Sequence, residues 1–86
     1  MIPFTQTSLD KLESLFKTLG FKVRYEKGSF RTGACMLENS KVIVVNKFSN
    51  LEVKIQSLVS ILKEIDIEVD LLEEKQLQFY HIINPQ

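Results

Sequence analysis

There is no tryptophan in these 86 residues, and only one cysteine, one histidine, two prolines and three glycines. Each scarcity excludes something. A lone thiol cannot close an internal disulfide, and with a lone imidazole it cannot build the common zinc clusters. So few prolines and glycines leave no linker, so residues 1–86 read as a single domain, and one too small for a large buried core. No apolar run exceeds the four residues Val42–Val45, far short of a membrane span. Met1-Ile2-Pro3-Phe4 lacks the basic stretch leading into an apolar segment that marks a signal peptide. A cytoplasmic chain with no membrane partner is expected.

Neither sign of charge dominates. Eleven Lys/Arg balance eleven Asp/Glu, which argues against a dedicated nucleic-acid binder, because such proteins are usually strongly basic. The balance conceals a local split. Residues 1–54 carry nine basic against five acidic side chains, a net of +4, and residues 55–86 carry two against six, a net of −4. Such a split can be neutralised within the fold or can support association between charged ends. The hydrophobic fraction of 44% and charged fraction of 26% are those of an ordinary folded domain.

What is present is organised around Gly28–Lys47, which reads as a β-hairpin. The β-branched run Val42-Ile43-Val44-Val45 follows the polar turn Glu38-Asn39-Ser40-Lys41. With Asn39-Ser40 as the loop, Leu37 faces Val42, Cys35 faces Val44 and Gly33 faces Asn46. Met36, Ile43, Ala34 and Val45 fall on the other face. Both faces are then apolar, and a sheet apolar on both sides needs cover on both sides. Either the helices divide between them, or a second copy of the chain covers the face of Cys35, Leu37, Val42 and Val44.

Ahead of the hairpin, Thr7-Ser8-Leu9-Asp10 resembles a helix start. Leu9, Leu12, Leu15, Phe16 and Leu19 then supply an apolar stripe, and Gly20 a stop. Phe21, Val23 and Tyr25 alternate with Lys22, Arg24 and Glu26, the pattern of a half-buried strand. Lys27-Gly28-Ser29 turns the chain into a second strand running from Phe30 or Arg31 to Leu37, and a third covers Lys41 to Asn46. Ser49-Asn50-Leu51-Glu52 opens a second helix with Leu51, Ile55, Leu58, Val59, Leu62 and Ile65 along one side. Asp66–Asp70 alternates as an edge strand would, and Asp70 with Glu73 opens a third helix ending near Ile83, with Leu71, Leu72, Lys75, Gln78, Phe79 and Ile82 setting its faces. The expected fold is α+β: a three- or four-stranded antiparallel sheet with three helices, in the order α-β-β-β-α-β-α.

No complete catalytic, metal-binding or phosphate-binding motif is found, and no cofactor is implied. Cys35 and His81 are the only thiol and imidazole; a nucleophilic pair would require the fold to bring them together, and a buried structural cysteine is the simpler reading. The acids Glu64, Asp66, Glu68, Asp70, Glu73 and Glu74 lack the spacing and central glycine of a calcium loop, and read as a solvated face. Gly28 and Gly33 are not in phosphate-cradling order; Gly33 inside a strand marks a bulge or the close approach of another backbone. Around them Arg24, Tyr25, Arg31, Asn46 and Lys47 form a basic patch that could receive a carboxylate or phosphate.

The string KGSFRTGACMLENSKVIVVNKFSNLEVKI resembles a group of small proteins of Bacteroidetes bacteria that form a domain family of unknown function. They share a helix, a segment like KG-F-(S/T)G-C, a segment like VNK and then a long helix. That resemblance implies a conserved domain and supplies no activity. In its succession of helix, hairpin ending in an apolar strand and Asn, and helix, the chain is also similar to the core of zinc peptidases of the ImmA/IrrE type. Those carry His-Glu-x-x-His on the helix after the hairpin. Here that helix reads LEVKIQSLVSILKEI and holds no histidine, so neither a metal site nor peptidase activity is carried over. The leading expectation is a non-enzymatic protein-interaction or assembly domain, homodimeric through one sheet face. A small-ligand or anion-binding module at the basic end of the sheet is the alternative.

Overall fold

A computed structural model describes residues 2–27, 33–37 and 40–84. Helix α1 (Gln6–Thr18) is followed by strands β1 (Lys22–Glu26), β2 (Ala34–Met36) and β3 (Val42–Asn46). Helix α2 (Leu51–Glu64), a 3-10 turn (Val69–Leu71) and helix α3 (Glu74–Ile83) complete the chain. The class is α+β. Among the described residues no helix is long and apolar enough to cross a membrane.

The first two helices bury the expected stripes. Leu9, Leu12, Leu15, Phe16 and Leu19 of the first join Ile55, Leu58, Val59 and Leu62 of the second in one core. The caps sit slightly off the expected positions. Thr5 rather than Thr7 caps α1, accepting a hydrogen bond from Ser8 N at 3.2 Å; Asn50 caps α2, accepting from Val53 N at 2.8 Å. Gly20 ends α1 in the left-handed region, with φ of 91°. There Phe21 N donates to Phe16 O and Gly20 N to Lys17 O, and the rings of Phe16 and Phe21 meet edge to face at 5.8 Å. This paired hydrogen bonding with its apolar contact is how a glycine at that position closes a helix.

The sheet departs from expectation. Its strand order is β1-β3-β2, and β1 runs parallel to β3 while β2 runs antiparallel to it. The purely antiparallel arrangement is therefore corrected to a mixed sheet. The physical reason lies in β3. Ile43 and Val45 are 0% exposed and Val44 only 7%, so this strand belongs in the middle, with a neighbour on each side. The hairpin register is the expected one, with Cys35 opposite Val44; Gly33 O accepts from Asn46 N at 2.7 Å, and Leu37 N donates to Val42 O at 2.9 Å.

No fourth strand forms at Asp66–Asp70. Leu71 N and Leu72 N donate to Glu68 O and Val69 O in a local 3-10 turn. Ile67 and Leu72 both pack on the core, and an extended strand would point residues five apart to opposite faces. The turn brings Leu72 back. Helix α3 accordingly starts at Glu74 rather than near Asp70, and it buries Tyr80 and Ile83 while Gln78 and Ile82 stay exposed. Gln76 ties its start to α1: its Oε1 accepts from Glu73 N at 3.0 Å and its Nε2 donates to Thr18 Oγ1 at 2.9 Å.

Helix α1 packs on β1, α2 on β2, and the two helices on each other, so they share one side of the sheet. The tightest joint is Gly33. A Cβ there would stand 2.7 Å from Val53 O and 2.9 Å from Lys54 Cα, while Gly33 N donates to Ser57 Oγ at 3.0 Å. The backbone of the first turn of α2 occupies the space a side chain would need. Gly33→Ala is expected to lower stability by about 1–3 kcal/mol, measured by urea denaturation; an unchanged midpoint would mean that α2 can shift freely away from β2.

Candidate functional site

The pleat of the sheet sorts every candidate residue to one of two faces. Ile43 and Val45 point into the helical core, and the register carries Val23, Tyr25, Ala34 and Met36 with them. The opposite face presents Lys22, Arg24 and Glu26 on β1, Val42, Val44 and Asn46 on β3, and Cys35 on β2, with Leu37 continuing that row. Among the described residues no helix covers it. The four residues expected at an interface therefore lie together on one uncovered face.

That face is not uniformly apolar. Val44 is nearly buried, Val42 and Cys35 are half-buried, and Leu37 is 42% exposed. Beside them Arg24 Nη2 and Glu26 Oε2 form an ion pair at 2.6 Å, both side chains about half exposed. Exposed pairs of this kind contribute at most about 1 kcal/mol, so its interest is positional: it fixes opposite charges two residues apart along an edge strand.

The basic patch does not converge on one point. Arg24 and Asn46 share the uncovered face, but Tyr25 turns toward the helices. Lys47 Nζ stands 5.5 Å from the ring centre of Phe48, and the Asn46 carboxamide oxygen accepts from Phe48 N at 3.1 Å. Arg31 lies outside the described residues. So do Gly28, Ser29, Phe30, Thr32, Glu38 and Asn39, on which the expected turns and the start of the second strand fall.

Tyr25 serves a different purpose. Its hydroxyl donates to the Glu13 carboxylate of α1, and Lys54 Nζ of α2 stands 5.7 Å from its ring centre. One side chain thus links β1 to both helices. Burial first, then the hydrogen bond to Glu13 and the negative charges of Glu13 and Asp10, hold its phenol well above the usual tyrosine range.

Cys35 and His81 are not brought together. Cys35 is on the uncovered face, whereas His81 is exposed on α3 beside Tyr80, ring centres 5.7 Å apart. Among the described residues no group of three or more His, Cys, Asp or Glu is placed to hold a metal ion. Among the described residues two grooves of ≈ 390 Å³ each stand out. One lies between α1 and α3 over Phe79 and Ile82, with Lys11 and Lys75 on its rim. The other follows β2 and α2, lined by Cys35, Met36, Ser57, Ser60 and Glu64. The sequence flagged Phe79 and Ile82 as face-setting residues but gave no sign of either groove. The charges at the two ends of β1 were legible as alternation, though not as a site.

The phenol supplies a test. A folded-state value above the unfolded one, near 10, means the associated stability is complete below pH 10 and lost as the pH rises beyond it. In alkaline absorbance titration the late-ionising tyrosine should vanish in Tyr25→Phe and ionise earlier in Glu13→Gln; identical curves for Glu13→Gln and the parent would remove Glu13 from the account. Compared with protein-family models, with curated proteins and with solved structures, the chain matches none.

Proposed function

We propose that this protein is a cytoplasmic, non-enzymatic protein-interaction or assembly domain that acts as a homodimer. The observation that carries the reading is a three-stranded sheet whose two packed helices share one side, which leaves the other side and the outer border of β1 uncovered among the described residues. Uncovered sheet surfaces are where soluble domains take up partners, because paired strands satisfy backbone groups that solvent satisfies less specifically. The candidate chemistry points the same way: the single thiol faces away from the layer that carries the single histidine, and the guanidinium of Arg24 is already engaged by Glu26.

The uncovered face alone makes a lean interface. A valine with 7% of its surface remaining gains little from a second cover, and only Leu37 adds a large apolar side chain that is plainly exposed. Among the described residues the outer backbone of β1 has no strand partner, and it is the larger unused capacity of the sheet. Light scattering across a range of protein concentrations should find a species of twice the 10.0 kDa chain mass. A constant 10.0 kDa species at every concentration and at low salt would refute the homodimer.

A further inference from the structure

We infer that two copies of the chain join along β1, antiparallel and centred on Arg24, to make one continuous six-stranded sheet. This rests on the homodimer reading above and specifies how the copies meet.

The direction of the backbone groups comes first. In the parallel ladder Lys22 N donates to Lys41 O at 2.7 Å, and Glu26 O accepts from Lys47 N at 3.1 Å. Residues 22, 24 and 26 therefore turn their backbone groups inward to β3, and Val23 and Tyr25 turn theirs outward. An antiparallel neighbour is bonded where two facing residues exchange both hydrogen bonds. When Val23 of one copy faces Tyr25 of the other, the two-fold axis repeats the exchange at Tyr25 and Val23. All the outward groups of the strand then find partners, and all five residues of β1 are paired.

The side chains are complementary in that same register. Lys22 faces Glu26 of the other copy twice, on the uncovered face, in the close pairing of a non-hydrogen-bonded site. Val23 faces Tyr25 twice on the helical face, a β-branched residue against an aromatic that is 39% exposed in the single chain. The two Arg24 residues face each other at the axis, one like-charge pair that the Glu26 of each chain offsets. Shifting the centre to Val23 would set Lys22 against Arg24 at two places and leave no opposite pair. Shifting it to Tyr25 would bring Arg24 to Glu26 but leave Lys22 beyond the paired strand. Charges on an edge strand ordinarily discourage pairing; here the order plus, plus, minus against its reversed copy gives two opposite pairs to one like pair.

Charge reversal tests this by light-scattering mass at low salt, with far-UV circular dichroism to confirm folding. Lys22→Glu should weaken the dimer about tenfold by setting like charges opposite each other at two places, and Glu26→Lys should do at least as much. The double variant Lys22→Glu with Glu26→Lys should restore association, because the facing pairs are again opposite in sign. Leu37→Glu, on the uncovered face, should leave the dimer intact. A dimer that survives Lys22→Glu but is lost in Leu37→Glu overturns edge pairing while the homodimer stands, joined through the face. A dimer lost in Lys22→Glu and not restored in the double variant overturns the register. A wild-type chain that is monomeric throughout overturns both.

Discussion

Everything in this domain depends on β3 being paired on both sides. Its four consecutive β-branched residues have their apolar side chains on both faces, and a strand of that kind is stable only where neighbours shield its borders. Placed centrally, it takes β1 as a parallel partner and β2 as an antiparallel one. The helices then cover the side of Ile43 and Val45. The remaining side carries the narrow apolar row of Val42, Val44 and Cys35 between charged β1 and exposed Leu37. A charged border and a face that no helix covers among the described residues are thus by-products of one demand, the shielding of β3.

Two small features convert that arrangement into a fixed one. Gly33 lets the backbone of β2 approach the first turn of α2 to distances at which any side chain would collide. Tyr25 does the reverse at the other border, filling space with a ring between Glu13 of α1 and Lys54 of α2. One border of the sheet is held by the absence of a side chain and the other by the reach of a large one.

Much of this was legible in the residues. The stripes of the first two helices, the stop at Gly20, the register of Cys35 against Val44 and the close approach at Gly33 all follow from local spacing and local chemistry. The sheet order does not, because strands that follow one another in sequence need not lie side by side. The unbroken run Val42–Val45, beside the alternating charges of 22–26, does distinguish a central strand from a border one; that comparison, rather than turn length, decides the order. The stretch 66–70 misled for a related reason: alternation over five residues is shared by an edge strand and by a segment whose ends dock on a core. Of the basic patch, Arg24 and Asn46 do share a face, but side-chain parity sends Tyr25 to the other, and adjacency along the chain hid that.

The two kinds of pairing around β3 also differ in chain entropy. Cys35 and Val44 are nine residues apart, whereas Arg24 and Val44 are twenty apart. Closing the longer loop costs about 0.6 kcal/mol more, and the parallel ladder is slightly weaker per residue. The hairpin is therefore the part of the sheet closed at the lower entropic cost, and β1 is held by α1 and by Tyr25 as well as by its ladder. A second chain docking along that strand would steady the least self-sufficient element of the first, so that folding and association meet in the two borders of one short strand.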